Sequence, residues 1–88
     1  MSKESYSLEI TEAAQEDLER LDKAIANRII EKLKWLTANA ATMIHIALKG
    51  RWRGLYRLRV GDYRVIYDVD HDARLVIVVS IGHRRDVY

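Results

Sequence analysis

Eighty-eight residues with no cysteine leave room for one small domain, residues 1–88, with a single core and a surface site, and they exclude disulfides, thiolate metal ligands and cysteine nucleophiles. No run approaches the ~20 apolar residues of a membrane span, the opening MSKESYSLEI lacks a signal peptide's basic-then-apolar build, and His45, His71 and His83 lack ligand spacing, so a cytoplasmic protein with no membrane partner, metal or cofactor is expected. The formal charge of +2 hides an asymmetry: residues 1–40 carry eight acids and six bases, residues 41–88 five acids and nine bases, and no glutamate follows Glu31.

Residues 6–10 alternate as a short strand. Thr11 is placed to cap a first helix, with Glu12, Glu16 and Asp17 near its positive end and Ala14, Leu18 and Leu21 at helical spacing. A second helix is expected from about 23 to 37, burying a stripe of Ile25, Ile29, Leu33 and Leu36, with Ile30 beside it and Arg28, Glu31 and Lys32 on a solvated face. Residues 39–49 read as an irregular connection in which Ala40, Met43, Ile46 and Leu48 tuck down and His45 is an ordinary surface histidine.

Residues 54–69, GLYRLRVGDYRVIYDV, carry the clearest local pattern. Tyr56, Leu58 and Val60 alternate with Arg57 and Arg59, Gly61-Asp62 interrupts, and Tyr63, Val65 and Tyr67 resume, which is a hairpin with a two-residue primed turn. Pairing Val60 with Tyr63 puts Arg59 opposite Arg64 and Arg57 opposite Ile66, so one face is apolar and the other holds three arginines. Directly opposed like charges cost roughly a few tenths to 1 kcal/mol, a tolerable penalty without structural benefit.

Asp70-His71-Asp72 then reads as turn chemistry rather than a metal site. The apolar run LVIVVSI, residues 75–81, suits a strand buried on both faces at the centre of the sheet. The expected fold is α+β: a two-helix hairpin packed on a small, mostly antiparallel sheet in the order β-α-α-β-β-β, with the other sheet face partly open.

Cations gather on that open side. The stretch KGRWRGLYRLR, residues 49–59, holds five cations and no anion, with Trp52 and Tyr56 interleaved, the electrostatic footprint of a polyanion site. Trp52 reads as a lid on the core, with a stacking platform as the alternative, whereas Tyr56 belongs to the core by its alternation. The tail IGHRRDVY is expected to deliver His83, Arg84, Arg85 and Tyr88 beside the three arginines. Lys49, Arg51, Arg53 and Arg85 are the expected polyanion contacts.

The pattern LKG…GLYRLRVGDYRVIYDVD, followed by a branched strand and the ending GHRRDVY, resembles the RelE-like branch of the RelE/ParE toxin superfamily over nearly the whole chain. The resemblance implies a toxin held inactive by a cognate antitoxin protein, acting as a metal-independent endoribonuclease on messenger RNA in the A site of the ribosome. It carries catalytic roles onto Arg57, Arg59, Arg64, Arg84 and Tyr88, while His83 stands where some members have lysine. Cleavage through the 2′-OH needs a proton removed, a phosphorane stabilised and the leaving 5′-oxygen protonated. Arginine stays charged and suits the second task; His83 is the proton-transfer residue and Tyr88 a stacking or relay group. Two other readings stay open: a ParE-like poison of DNA gyrase, and an RNA- or ribosome-binding module that occludes without cutting.

Overall fold

The computed structural model describes residues 5–87. Strand β1 (Ser7–Ile10) leads into helices α1 (Glu12–Glu19) and α2 (Lys23–Asn39), and the chain re-enters at the far edge of the sheet as β2 (Ile46–Ala47). A single 3₁₀ turn (Gly50–Trp52) precedes the meander β3 (Tyr56–Val60), β4 (Tyr63–Asp70) and β5 (Leu75–His83), and a short helix α3 (Arg84–Val87) follows. The strand order is β1-β5-β4-β3-β2, with only the β1–β5 pair parallel. The two-residue β2 was not expected: it is recognised by its ladder to β3, Ile46 opposite Arg57, and not by any pattern of its own. It leaves β4 in the middle of the sheet, with β5 interior beside it.

Local chemistry accounts for most boundaries. Thr11 caps α1, its hydroxyl accepting the Ala14 N–H at 3.3 Å, and it also donates to the Val79 carbonyl at 3.3 Å. One side chain therefore ties the helix start to β5, and Thr11→Ala is expected to lower stability by about 1 kcal/mol in thermal unfolding. In the β3–β4 hairpin Val60 pairs with Tyr63, and Gly61 takes φ +60°, which only glycine adopts at little cost.

The core lies between the helices and one sheet face. Ile29, Leu33 and Leu36 of α2 meet Leu58, Val65, Tyr67, Val76 and Val78, all buried, with Ile25 half-buried beside them. Ile30 is partly exposed. The opposite face is open except where Leu48, Trp52 and Leu55 fold over Ile66. Ile46, expected to tuck down, is instead 51% exposed, because β2 sits at the sheet edge with no layer above it. Among the described residues no helix is long and apolar enough to cross a membrane.

His45 departs furthest from its expected place on the surface. It is half-buried, with Nε2 2.9 Å from the Ala40 carbonyl and Nδ1 2.6 Å from the Tyr67 hydroxyl. A carbonyl can only accept, so Nε2 carries the proton and, in the neutral ring, Nδ1 accepts from Tyr67. The connection after α2 is thereby pinned to the sheet. Burial, reinforced by Tyr56 nearby, pushes the Tyr67 phenol up from 10.0 to about 12. Because the folded state holds that proton after the unfolded chain has lost it, stability should be complete below about pH 10 and fall as pH rises toward about 12. Tyr67→Phe should flatten that fall in a pH series of urea melts.

Candidate nucleic-acid interface

Strand alternation builds the arginine face directly. In the β3–β4 ladder Arg59 is opposite Arg64, Arg57 opposite Ile66, and Leu58 opposite Val65, while Arg64 is flanked on its other side by Gly82 of β5. Arg57, Arg59 and Arg64 therefore project from the face the helices leave open, and Gly82 adds no side chain over Arg64. Arg59 is exposed, whereas Arg57 and Arg64 are half-buried. Among the described residues neither Arg57 nor Arg59 holds an ion pair, so their guanidinium forks are available to an anion from solution.

The 3₁₀ turn forms one wall beside this face. Trp52 rests on the small apolar cluster with Leu48, Leu55 and Ile66, and Arg51 lies over its ring at 5.5 Å. The indole is thus a lid with one half-exposed surface, which reconciles the two roles its sequence context left open. Lys49, Arg51 and Arg53 are all exposed around it.

At the end of β5 the arrangement differs from the expectation. His83 pairs with Tyr63 in the β4–β5 ladder, so its ring lies on the helix side of the sheet and not among the arginines. It packs edge-on against Tyr63 at 5.4 Å, and its Nδ1 accepts the Arg85 N–H at 3.2 Å. The period of two along β5 decides this, since Gly82 takes the position that faces Arg64. Arg84 and Arg85 are exposed on α3, whose start is held by the Arg84 N–H donating to the Asp62 carbonyl at 2.9 Å. Tyr88 lies outside the described residues.

The two sides meet around the free edge of β5. A cleft of about 360 Å³ there is lined by Asp17, Arg20, Arg51, Trp52, Tyr63 and His83, among others. Asp17 is the participant that sequence reading missed. The expectation that it sits near the positive end of a helix gave it a local reason, but α1 places it in the last turn, and only the fold brings its carboxylate to the Ile81 N–H, 3.0 Å away.

A family model described as the ParE toxin of type II toxin–antitoxin systems, parDE, matches residues 8–88. The chain belongs to the RelE/ParE toxin superfamily. Toxin RelE of Mycobacterium tuberculosis is 32% identical over 83 residues, covering 94% of this chain and 86% of that protein. Toxin RelG of the same organism is 25% identical, with 94% and 95% covered. Among solved structures, the toxin–antitoxin complex RelBE2 from M. tuberculosis superposes with a TM-score of 0.81 at 25% identity, covering 93% of this chain and 94% of that one. The archaeal RelE–RelB complex from Pyrococcus horikoshii gives 0.74 at 27%, with 96% and 100% covered. The superfamily fold thus extends over nearly the whole chain, and within it the arginine face and the β5 cleft are particular surfaces to interpret.

Proposed function

We propose that this toxin is a ribosome-dependent endoribonuclease that cuts translated messenger RNA in the A site, and that a cognate antitoxin silences it by covering the same cationic surface. The observation that carries the reading is the grouping of Arg57, Arg59 and Arg64 on the sheet face without helices. Three forks on one rigid surface match a phosphodiester and the extra charge of its phosphorane. A strand-borne constellation also needs little reorganisation as that charge develops.

Within this reading Arg57, Arg59, Arg64 and Arg84 grip the scissile phosphate, while Lys49, Arg51, Arg53 and Arg85 hold flanking phosphates. For His83 to carry the proton transfer assigned to it, its ring must leave Tyr63 on the helix side of the sheet and reach the arginine face, with Tyr88 as a stacking or relay group. In the neutral ring the Arg85 contact puts the proton on Nε2. Taking the 2′-OH proton at Nδ1 therefore requires that contact to open. The chemistry uses this chain's own groups, without a metal.

The antitoxin part draws on relatives crystallised as RelBE and RelE–RelB complexes. The family model carries the ParE name, which keeps gyrase poisoning as the second reading; a poison that acts by binding has no need for arginines focused on one phosphate. Induced expression, followed by primer extension on translated messages, separates the two. New 5′ ends within coding regions are expected. Growth arrest without them, accompanied by gyrase-linked DNA breaks, overturns the nuclease.

A further inference from the structure

Strand β1 covers β5 only as far as the Ile10–Val78 pair. Beyond it, the Thr11 backbone N–H donates to the Val78 carbonyl, the Thr11 hydroxyl donates to the Val79 carbonyl, and Asp17 Oδ2 accepts the Ile81 N–H. The 360 Å³ cleft opens at this point, with Arg51 and Trp52 on the arginine side and Asp17, Tyr63 and His83 on the helix side.

The geometry points to a guanine-binding subsite in this cleft: an RNA strand lying along the arginine face turns one base over the β5 edge onto the Asp17 carboxylate. The inference rests on the RNA reading proposed above.

Capping Ile81 requires only an acceptor, which a neutral side chain would supply. A carboxylate beside phosphates adds repulsion, which an ion pair with the solvent-exposed Arg20 offsets only weakly. The capacity of Asp17 is far from filled, because a carboxylate has about four acceptor positions and among the described residues the Ile81 N–H takes one. Arg20 forms an ion pair with Oδ1 at 3.7 Å, too long to be a hydrogen bond that would fill an acceptor position. The side chain is only 24% exposed and is held in place by the backbone it caps. Two adjacent acceptors match the N1–H and N2–H donors of guanine. Adenine and cytosine present an acceptor next to their amino group, and uracil flanks its one N–H with two carbonyls, so each opposes a carboxylate oxygen. The Trp52 ring under Arg51, and the Tyr63–His83 pair opposite, supply flat surfaces for the base.

The test uses the full chain and short RNAs blocked against cleavage by a 2′-O-methyl group, with guanine or inosine placed in turn at each flanking position. Inosine lacks only the N2 amino group. At one position wild type should bind guanine RNA about tenfold more tightly than inosine RNA. Asp17→Asn keeps an acceptor for Ile81 and should abolish that preference while binding inosine RNA at least as tightly, which also reports an intact fold. Equal binding of both RNAs by wild type at every position, or a preference that survives in Asp17→Asn, overturns the subsite. Cleavage is followed in parallel on ribosomes programmed with the same messages. Discrimination without cleavage would sink the nuclease and support the subsite; cleavage without discrimination would do the reverse.

Discussion

Arg64→Ala is expected to slow messenger RNA cleavage by on the order of 10²–10³, the usual loss when one donor is removed from a site that stabilises developing anionic charge. Arg64 sits at the centre of the proposed cradle, between Arg59 on β3 and Gly82 on β5, and its half-buried position restricts the geometry of its fork. Arg64→Lys should recover only part of the rate, because an ammonium preserves the charge but not bidentate contact with two phosphate oxygens. His83→Ala provides the contrast. With proton transfer assigned to His83, its loss should reduce the rate by on the order of 10²–10⁴. Primer extension under single-turnover conditions measures these effects, and thermal melting checks that each variant is folded. A folded Arg64→Ala protein that cuts at the wild-type rate would remove Arg64 from the transition state.

The second large effect is on stability. Leu33 is completely buried where α2 crosses the sheet, among Ile29, Leu36, Val65 and Val78. Leu33→Ala should cost about 2–5 kcal/mol, combining lost transfer energy with the cavity left behind. A domain this small has a total stability of only about 5–15 kcal/mol, so the variant should melt far below wild type in urea or on heating. Ile30→Ala, three positions earlier on the partly exposed flank of α2, is the control and should cost much less. The pair separates burial from helix propensity, because leucine and isoleucine are both replaced by the best helix former.

Much of the architecture was legible because it depends on local periods. The stripe of Ile29, Leu33 and Leu36, the Thr11 cap and the Val60–Tyr63 register all emerge from spacing and turn chemistry, and the structure contains each of them. The arginine face was legible for the same reason: once register is set, alternation assigns Arg57, Arg59 and Arg64 to one side. β2 and His45 were not. A two-residue strand has no period to detect, and a histidine bridging Ala40 to Tyr67 is defined by partners from different elements.

The tail shows the same boundary more sharply. Its sequence announced a cluster of hydrogen-bonding groups, but their distribution depended on how far β5 continues: extension through His83 makes Gly82 face Arg64 and turns the imidazole toward Tyr63. The β5 cleft had no sequence signature, since Asp17 and Ile81 are 64 residues apart and meet only when α1 packs on the sheet. Sequence by itself therefore determined which side chains share a face, because strand and helix periods are intrinsic to the backbone. Only the tertiary structure decided which faces meet, because that depends on where strands end and what the remaining edge must bond.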